Sequence, residues 1–245
     1  MGVFSAAGGA MLKSLLNIIF PDVCPFCEEH EQQGLLCKPC CAELDGLRIT
    51  GPTCIVCGLP FASQAASDHT CGQCLKQDMP FIEARSAFEY SGNLREAIHR
   101  FKYGRRFILA RPFGRMLSDF AASFSSKPDI AVPVPLHKKR LRTRGFNQSL
   151  LLARVISKRL SIGLDYLNLR RTRETAPQIE LNTDERKKNV AGAFEVINPP
   201  AFKDRNVLLV DDVFTTGATV KECAKVLKKA GASVRVLTLA RAIQK

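Results

Sequence analysis

Short apolar runs alternate with amphipathic stretches through the last two thirds of the chain. Some of the runs are rich in branched aliphatic residues and have the length of buried strands. The predicted strands are FIEARSAFEYSG at 81–92, which ends in a turn, DIAVPVP at 129–135, GAFEVI at 192–197, NVLLV at 206–210 and SVRVLTLARA at 233–242.

The stretches between these runs repeat their apolar residues with the period of a helix. The predicted helices are NLREAIHRFKYGRR at 93–106, FILARPFGRMLSDFAASF at 107–124, NQSLLLARVISKRL at 147–160 and TVKECAKVLKKAG at 219–231. Strands separated by helices imply an α/β fold, with a mostly parallel sheet covered by helices. Ligands of such sheets lie beyond the carboxyl ends of the strands.

The first residues, MGVFSAAGGAMLKSLLNIIF, predict a short amphipathic helix over residues 1–21. Its apolar residues recur at helical spacing, and packing on the protein or contact with a membrane surface would both use that face. A lysine inside the apolar stretch and the following FPDVCPFC do not fit a secretory signal. No run reaches the roughly 18 apolar residues of a membrane span, so we expect a cytoplasmic protein without one.

Charge divides the chain near residue 80. Residues 1–80 hold four lysine or arginine residues against eight acidic ones, net −4, whereas residues 81–245 hold 32 against 15, net +17. We therefore predict a small acidic domain at 22–80 and a larger basic domain at 81–245. A strongly basic domain suits phosphorylated ligands or nucleic acid.

Four C-x2-C pairs organise the acidic domain. Two such pairs supply the four thiolates of a closed tetrahedral zinc site, so four pairs predict two structural zinc ions. A disulfide framework would need an oxidising compartment, for which the sequence gives no support. Either order of pairing fits the spacing. The predicted zinc ligands are Cys24, Cys27, Cys37, Cys40, Cys54, Cys57, Cys71 and Cys74.

The stretch VLLVDDVFTTGAT at 207–219 combines a buried strand, two carboxylates and a loop of small residues before a helix. Backbone N–H groups and hydroxyls at a helix start favour a phosphate. Carboxylates beside them can accept hydrogen bonds from sugar hydroxyls or hold magnesium. The pattern predicts a sugar-phosphate site.

This stretch resembles the phosphoribosyl pyrophosphate (PRPP) signature of type I phosphoribosyltransferases, with the acidic pair and TTGAT loop in register. The resemblance implies that Asp211 and Asp212 bind the ribose hydroxyls. It implies that the 5′-phosphate is bound by Thr215, Thr216, Gly217, Ala218 and Thr219. Hypoxanthine and guanine transferases have an aspartate where this chain has Thr215, so those bases are not expected as acceptors.

The chain as a whole resembles the ComF family, which joins a double zinc ribbon to a phosphoribosyltransferase-like domain. The supporting motifs are FPDVCPFC, FKYGRR, VPVPLHKKRLRTRGFNQ, RTRETAPQIELNTDERKKNVAGAF and the PRPP loop, in that order. The resemblance implies magnesium bound with PRPP and a role in DNA uptake during natural transformation. It makes the basic loop after VPVP the pyrophosphate site, with Lys138, Arg140 and Arg144 as PRPP ligands, and Asp211, Asp212 and Arg144 as catalytic residues.

Three classes of function fit these features. The first is a transferase that moves 5-phosphoribosyl from PRPP to an acceptor that the sequence does not identify. The second is a sensor of PRPP or a nucleotide whose basic face binds single-stranded DNA through its phosphates. The third is an assembly protein whose ribbons recruit a competence helicase or a recombination mediator.

Overall fold

A computed structural model describes residues 23–29, 36–61, 67–121, 124, 126–175 and 183–243. The helix predicted over residues 1–21 lies outside these ranges. Among the described helices, none has the length and apolarity needed to cross a membrane.

Seven strands are described in two sheets. They are β1 Glu83–Glu89, β2 Ile130–Pro133, β3 Gly163–Leu164, β4 Leu169–Arg171, β5 Phe194–Val196, β6 Asn206–Phe214 and β7 Ser233–Arg241. The main sheet has the order β1-β7-β6-β2-β3, and all its pairings are parallel. The predicted α/β class with a mostly parallel sheet is confirmed.

Eight α-helices are described, and short 3-10 turns at Phe107–Leu109 and Pro199–Ala201 accompany them. They are α1 Lys38–Gly46, α2 Gly72–Leu75, α3 Gly92–Tyr103, α4 Ala110–Ala121, α5 Lys138–Arg144, α6 Gln148–Leu160, α7 Thr183–Val190 and α8 Ala218–Lys229.

Strand β6 is apolar on both sides because the two faces of the sheet are covered. Leu208 and Val210 belong to a core that includes side chains of α3, α4 and α6. Val207 and Leu209 belong to a second core with side chains of α8 and β5. Alternate residues of a strand point to opposite faces, so a strand buried on both sides reads as a continuous apolar run.

The run GAFEVI does form a strand, but outside the main sheet. Strand β5 pairs antiparallel with β4 in a separate two-stranded sheet, which we call the hood. Strand β4 was not predicted, because it has only three residues and two of them are arginines. The middle residues of the two strands, Arg170 and Glu195, face each other and are exposed, whereas Leu169 and Phe194 are buried.

The basic segment predicted as a loop is instead helical over Lys138–Arg144. Gly145, with φ +83°, ends this helix in the left-handed region that glycine adopts without strain. Helix α8 begins at Ala218, one residue before the start predicted at Thr219.

Both cysteine-rich segments pack on the α/β domain. Phe26 of the first segment is fully buried, and its ring meets Phe113 of α4 edge-on with 6.3 Å between centroids. In the second segment, the Val56 carbonyl accepts a hydrogen bond from the Ala84 amide of β1 at 2.7 Å. The two parts therefore share core contacts across the predicted boundary at residue 80.

Candidate functional site

The cysteine pairs meet in sequence order. One group holds Cys24, Cys27, Cys37 and Cys40, and the other holds Cys54, Cys57, Cys71 and Cys74. The sulfur atoms of each group all lie within 4.8 Å of one another. The sequence spacing allowed either order of pairing. In the structure, each sulfur group combines two C-x2-C pairs that are consecutive in the chain.

Backbone N–H groups donate to one sulfur atom of each group, an arrangement that stabilises a thiolate. Cys54 Sγ accepts from the amides of Cys57 at 3.4 Å and Cys71 at 3.3 Å, and Cys24 Sγ accepts from the Cys37 amide at 3.3 Å. Burial opposes ionisation of Cys54, but these N–H groups prevail and lower its pKa to about 6. Four mostly buried sulfurs without an open position fit structural zinc.

Cys41 and His69 lie beside the ribbons without joining either sulfur group. The Cys41 side chain is exposed. The His69 ring stacks on Phe61 with 3.8 Å between centroids and 6° between planes. Both residues are neighbours of zinc ligands rather than ligands.

The acidic pair stands where the sheet's connections diverge. From β2 the chain runs through α6 to β3 at one edge, and from β6 it runs through α8 to β7 on the other side. Strand β2 ends at Pro133 opposite Val210, while β6 continues beside β7 to Phe214. A crevice at such a divergence is the usual ligand site of an open α/β sheet.

Asp211 lies partly exposed at this crevice. Its Oδ1 accepts hydrogen bonds from Ser149 Oγ of α6 at 2.8 Å and from the Asp212 amide at 2.9 Å. Burial and the charge of Asp212 raise the pKa of Asp211 to about 7, against the opposing effects of Lys102 and Ser149. The carboxyl group therefore changes its charge near neutral pH.

Asp212 is buried and paired. Its Oδ2 lies 3.1 Å from Lys102 Nζ, which α3 brings to the crevice. Burial disfavours the charged form of Lys102, but Asp212 and Asp211 outweigh burial and raise the pKa of the lysine. Sequence reasoning assigned Lys102 no role; its position in the FKYGRR motif was the available signal.

The loop after the acidic pair turns sharply into α8. Gly217 is the N-cap residue with φ +74°, and a Cβ added there would lie 2.5 Å from the Phe214 ring. Thr216 Oγ1 accepts from the Ala218 amide at 3.4 Å, and Thr215, Thr216 and Thr219 are partly exposed. The start of a twelve-residue helix with three hydroxyls beside it suits a phosphate group.

The basic segment provides two oriented guanidinium groups. Arg144 Nη1 donates to Gln148 Oε1 at 2.6 Å, and its Cζ lies 4.8 Å from the centroid of the Tyr103 ring. Arg140 Nη2 donates to the Thr175 carbonyl at 3.2 Å. Lys138 is exposed. Burial and repulsion from the charge of Arg144 lower the pKa of Arg140.

Comparison with known proteins gives two domain matches and a set of relatives. A double zinc ribbon domain matches residues 15–75, and a phosphoribosyl transferase domain matches residues 147–245. The DNA utilization protein YhgH of Escherichia coli (strain K12) is 36% identical over 197 residues, which cover 78% of this chain and 84% of that protein.

Two further relatives are similar over more residues. Competence protein F of Haemophilus influenzae is 33% identical over 220 residues, which cover 87% of this chain and 93% of that protein. Competence protein ComFC of Bacillus subtilis is 30% identical over 225 residues, which cover 84% of both chains. With its double ribbon, transferase domain and near-full-length relatives, this chain belongs to the ComF family.

Proposed function

We propose that this protein binds PRPP with magnesium at the crevice between β2 and β6 and transfers its 5-phosphoribosyl group with release of pyrophosphate. The observation that carries the proposal is the acidic pair at this crevice, followed directly by the loop into α8. Asp211 meets the crevice as a partly exposed carboxyl group, and Gly217 gives the loop its sharp turn.

Each end of PRPP has a chemically matched partner in this proposal. Asp211 and Asp212 accept hydrogen bonds from the ribose hydroxyls, and Lys102 stabilises the charge of Asp212 beside the sugar. The loop from Thr215 to Thr219 binds the 5′-phosphate through backbone N–H groups and hydroxyls.

Lys138, Arg140 and Arg144 bind the diphosphate. Magnesium, when bound with PRPP, neutralises charge that develops on the diphosphate oxygens. In the transfer, the bond between C1′ and the diphosphate oxygen breaks and pyrophosphate leaves with the electron pair. A lone pair of the acceptor forms the new bond to C1′, and Arg144 stabilises the leaving group.

We further propose that the activity serves DNA uptake in the cytoplasm. The relatives' names refer to competence and to DNA utilization. The eight clustered thiols are consistent with a reducing compartment.

Calorimetric titration with PRPP and magnesium tests the site. We expect saturable binding that Asp211→Asn and Asp212→Asn each weaken at least tenfold. Asp119→Asn is the control, because Asp119 is an exposed carboxylate that pairs with Arg159. Equal binding by the Asp211 and Asp212 variants and the parent protein would refute the site assignment.

The basic surface supports a second candidate, a PRPP sensor that also binds single-stranded DNA. Residues 81–245 carry a net charge of +17, and phosphate neutralisation predicts an affinity for DNA that falls steeply with salt. Binding of PRPP without pyrophosphate release, across a panel of acceptors, would favour the sensor. DNA affinity that is insensitive to salt would exclude the phosphate contacts.

A further inference from the structure

The hood contains a buried arginine, Arg171, that forms no salt bridge within the described part of the chain. Arg171 ends strand β4, and only 8% of its surface is exposed. Its guanidinium Cζ lies 5.4 Å from the centroid of the Phe194 ring on the neighbouring strand. The side chain is therefore held in place by the hood and largely shielded from water.

The hydrogen-bonding capacity of Arg171 is only partly used. One Nη donates to Thr175 Oγ1, while the buried Nε has no hydrogen-bond partner in the described part of the chain. The carboxylate of Glu174, three residues further along the chain, pairs instead with Lys139 Nζ at 2.6 Å. A buried guanidinium without an anionic partner is costly to a folded protein.

The guanidinium group of Arg140 contacts Thr175 as well. Arg140 of α5 donates to the Thr175 carbonyl, so Thr175 holds one arginine through its backbone and another through its hydroxyl. Burial and the charge of Arg140 lower the pKa of Arg171, against the opposing charge of Asp211. The pair accumulates positive charge in a shielded place, an arrangement that binding of a multiply charged anion would relieve.

We propose that Arg171 and Arg140 form a guanidinium pair that binds the diphosphate of PRPP from the hood side. This inference rests on the proposed function and adds to it a residue that selects a diphosphate over a monophosphate. Arg140 connects the pair to Arg144 in the basic segment, so diphosphate oxygens have donors on both α5 and the hood. A diphosphate has enough oxygen atoms to accept from both forks at once, and its greater charge gains more from two cations than a single phosphate does.

The test compares three ligands on the full-length, zinc-loaded protein: magnesium PRPP, magnesium pyrophosphate and ribose 5-phosphate. Arg171→Met keeps much of the side-chain length and removes the charge. We expect it to weaken PRPP and pyrophosphate at least tenfold and to leave ribose 5-phosphate within twofold of the parent. Its melting temperature without ligand should be equal to or higher than that of the parent, because the unpaired buried charge is gone.

Two further variants complete the comparison. Arg170→Met is the matched control, because Arg170 is the exposed neighbour on the same strand, and it should bind all three ligands as the parent does. Arg171→Lys keeps the charge without the planar fork and should retain part of the pyrophosphate affinity. It also serves if Arg171→Met does not fold.

The outcomes separate this inference from the function it rests on. A parent protein that binds neither PRPP nor pyrophosphate overturns the proposed function and the inference together. A parent that binds PRPP, with pyrophosphate affinity unchanged in Arg171→Met, overturns the inference alone. Equal losses for ribose 5-phosphate and pyrophosphate, with a lower melting temperature, identify Arg171 as a structural residue and also overturn it.

Discussion

At the residue scale, the two adjacent aspartates of the candidate site lie in different environments. Asp212 is 3% exposed and pairs with Lys102, whereas Asp211 is partly exposed and is held by the Ser149 hydroxyl. Asp212 therefore contacts α3 through Lys102, and Asp211 contacts the start of α6 through Ser149. Asp211, whose pKa is raised to about 7, is poised to change its charge near neutral pH.

We predict that PRPP affinity rises about tenfold between pH 6 and pH 8, as expected for one group with a pKa near 7. In the proposed complex, ionised Asp211 accepts hydrogen bonds from ribose hydroxyls, whereas the protonated form would lose part of that capacity. Calorimetry across this range measures the effect after subtraction of the ligand's own titration. Asp211→Asn should bind weakly and without this pH dependence; a slope unchanged in that variant contradicts the assignment.

Ionisation of Asp211 should lower the stability of the folded protein as pH rises, although it raises the affinity for PRPP. A carboxyl whose pKa is higher in the folded than in the unfolded chain favours folding at acid pH, and this contribution is lost as pH rises toward about 7. We therefore expect Asp211→Asn to be more stable than the parent at pH 8, with the difference vanishing near pH 4. Urea denaturation at both pH values measures it.

Lys102 offers a second test at this scale. Lys102→Met leaves the buried Asp212 carboxylate unpaired, and we expect a loss of about 2 kcal/mol, reduced from the range for fully buried pairs because the lysine is partly exposed. Adding Asp212→Asn should restore much of that loss, since the orphaned charge is removed. A double-mutant cycle tests this: chemical denaturation gives the free energy of unfolding of the parent, both single variants and the double variant. Simple additivity would show that the pair is not coupled.

At the element scale, the connection from β6 to α8 depends on one glycine. Gly217 combines a positive φ with close contact to Phe214, whereas Gly192 has φ +65° and no atom within 4 Å of an added Cβ. The two positions therefore separate the cost of backbone strain from the cost of a clash.

We predict that Gly192→Ala costs about 1 kcal/mol through backbone strain and that Gly217→Ala costs roughly 3 kcal/mol, because steric overlap is added. Gly217→Ala should also abolish PRPP binding, since the loop must shift. Thermal unfolding and calorimetry test the two effects. Equal stability losses in both variants would mean that Phe214 moves aside without cost.

At the scale of the whole molecule, Arg241 links the second ribbon to the loop between β6 and α8. This buried arginine of β7 donates to the Cys57 carbonyl at 2.8 Å, and its Cζ lies 4.3 Å from the centroid of the Phe214 ring. Phe214 in turn packs against Gly217. The Arg241 side chain thus contacts the backbone of Cys57, a predicted zinc ligand, and also Phe214, which packs against the loop before α8.

We predict that Arg241→Met accelerates zinc release to a chromophoric chelator and also weakens PRPP binding several-fold. The matched control is Arg85→Met, because Arg85 donates to the Ile55 carbonyl of the same ribbon at 3.0 Å but belongs to a different strand. That variant should affect zinc release without changing PRPP affinity. Unchanged PRPP binding in Arg241→Met would show that the two sites are independent.

Short sequence patterns were sufficient to predict the zinc ribbons, the buried strand before Asp211 and the fold class. The C-x2-C pairs predicted zinc ribbons because two thiolates in one tight turn are a chelating unit by themselves. The apolar run before Asp211 predicted a buried parallel strand, and the TTGAT loop predicted a phosphate site, because each depends on neighbours within a few residues. The fold class and the family followed from the same short-range features.

Tertiary structure decided the remaining features. It paired the cysteines in sequence order, placed β5 in a separate sheet and turned the basic loop into a helix. It also brought Lys102 to Asp212 and Arg171 to Arg140. These contacts join residues far apart in the chain, and their partners are chosen by how the packed elements meet. Sequence by itself determined the chemical groups, and packing determined which of them share a site.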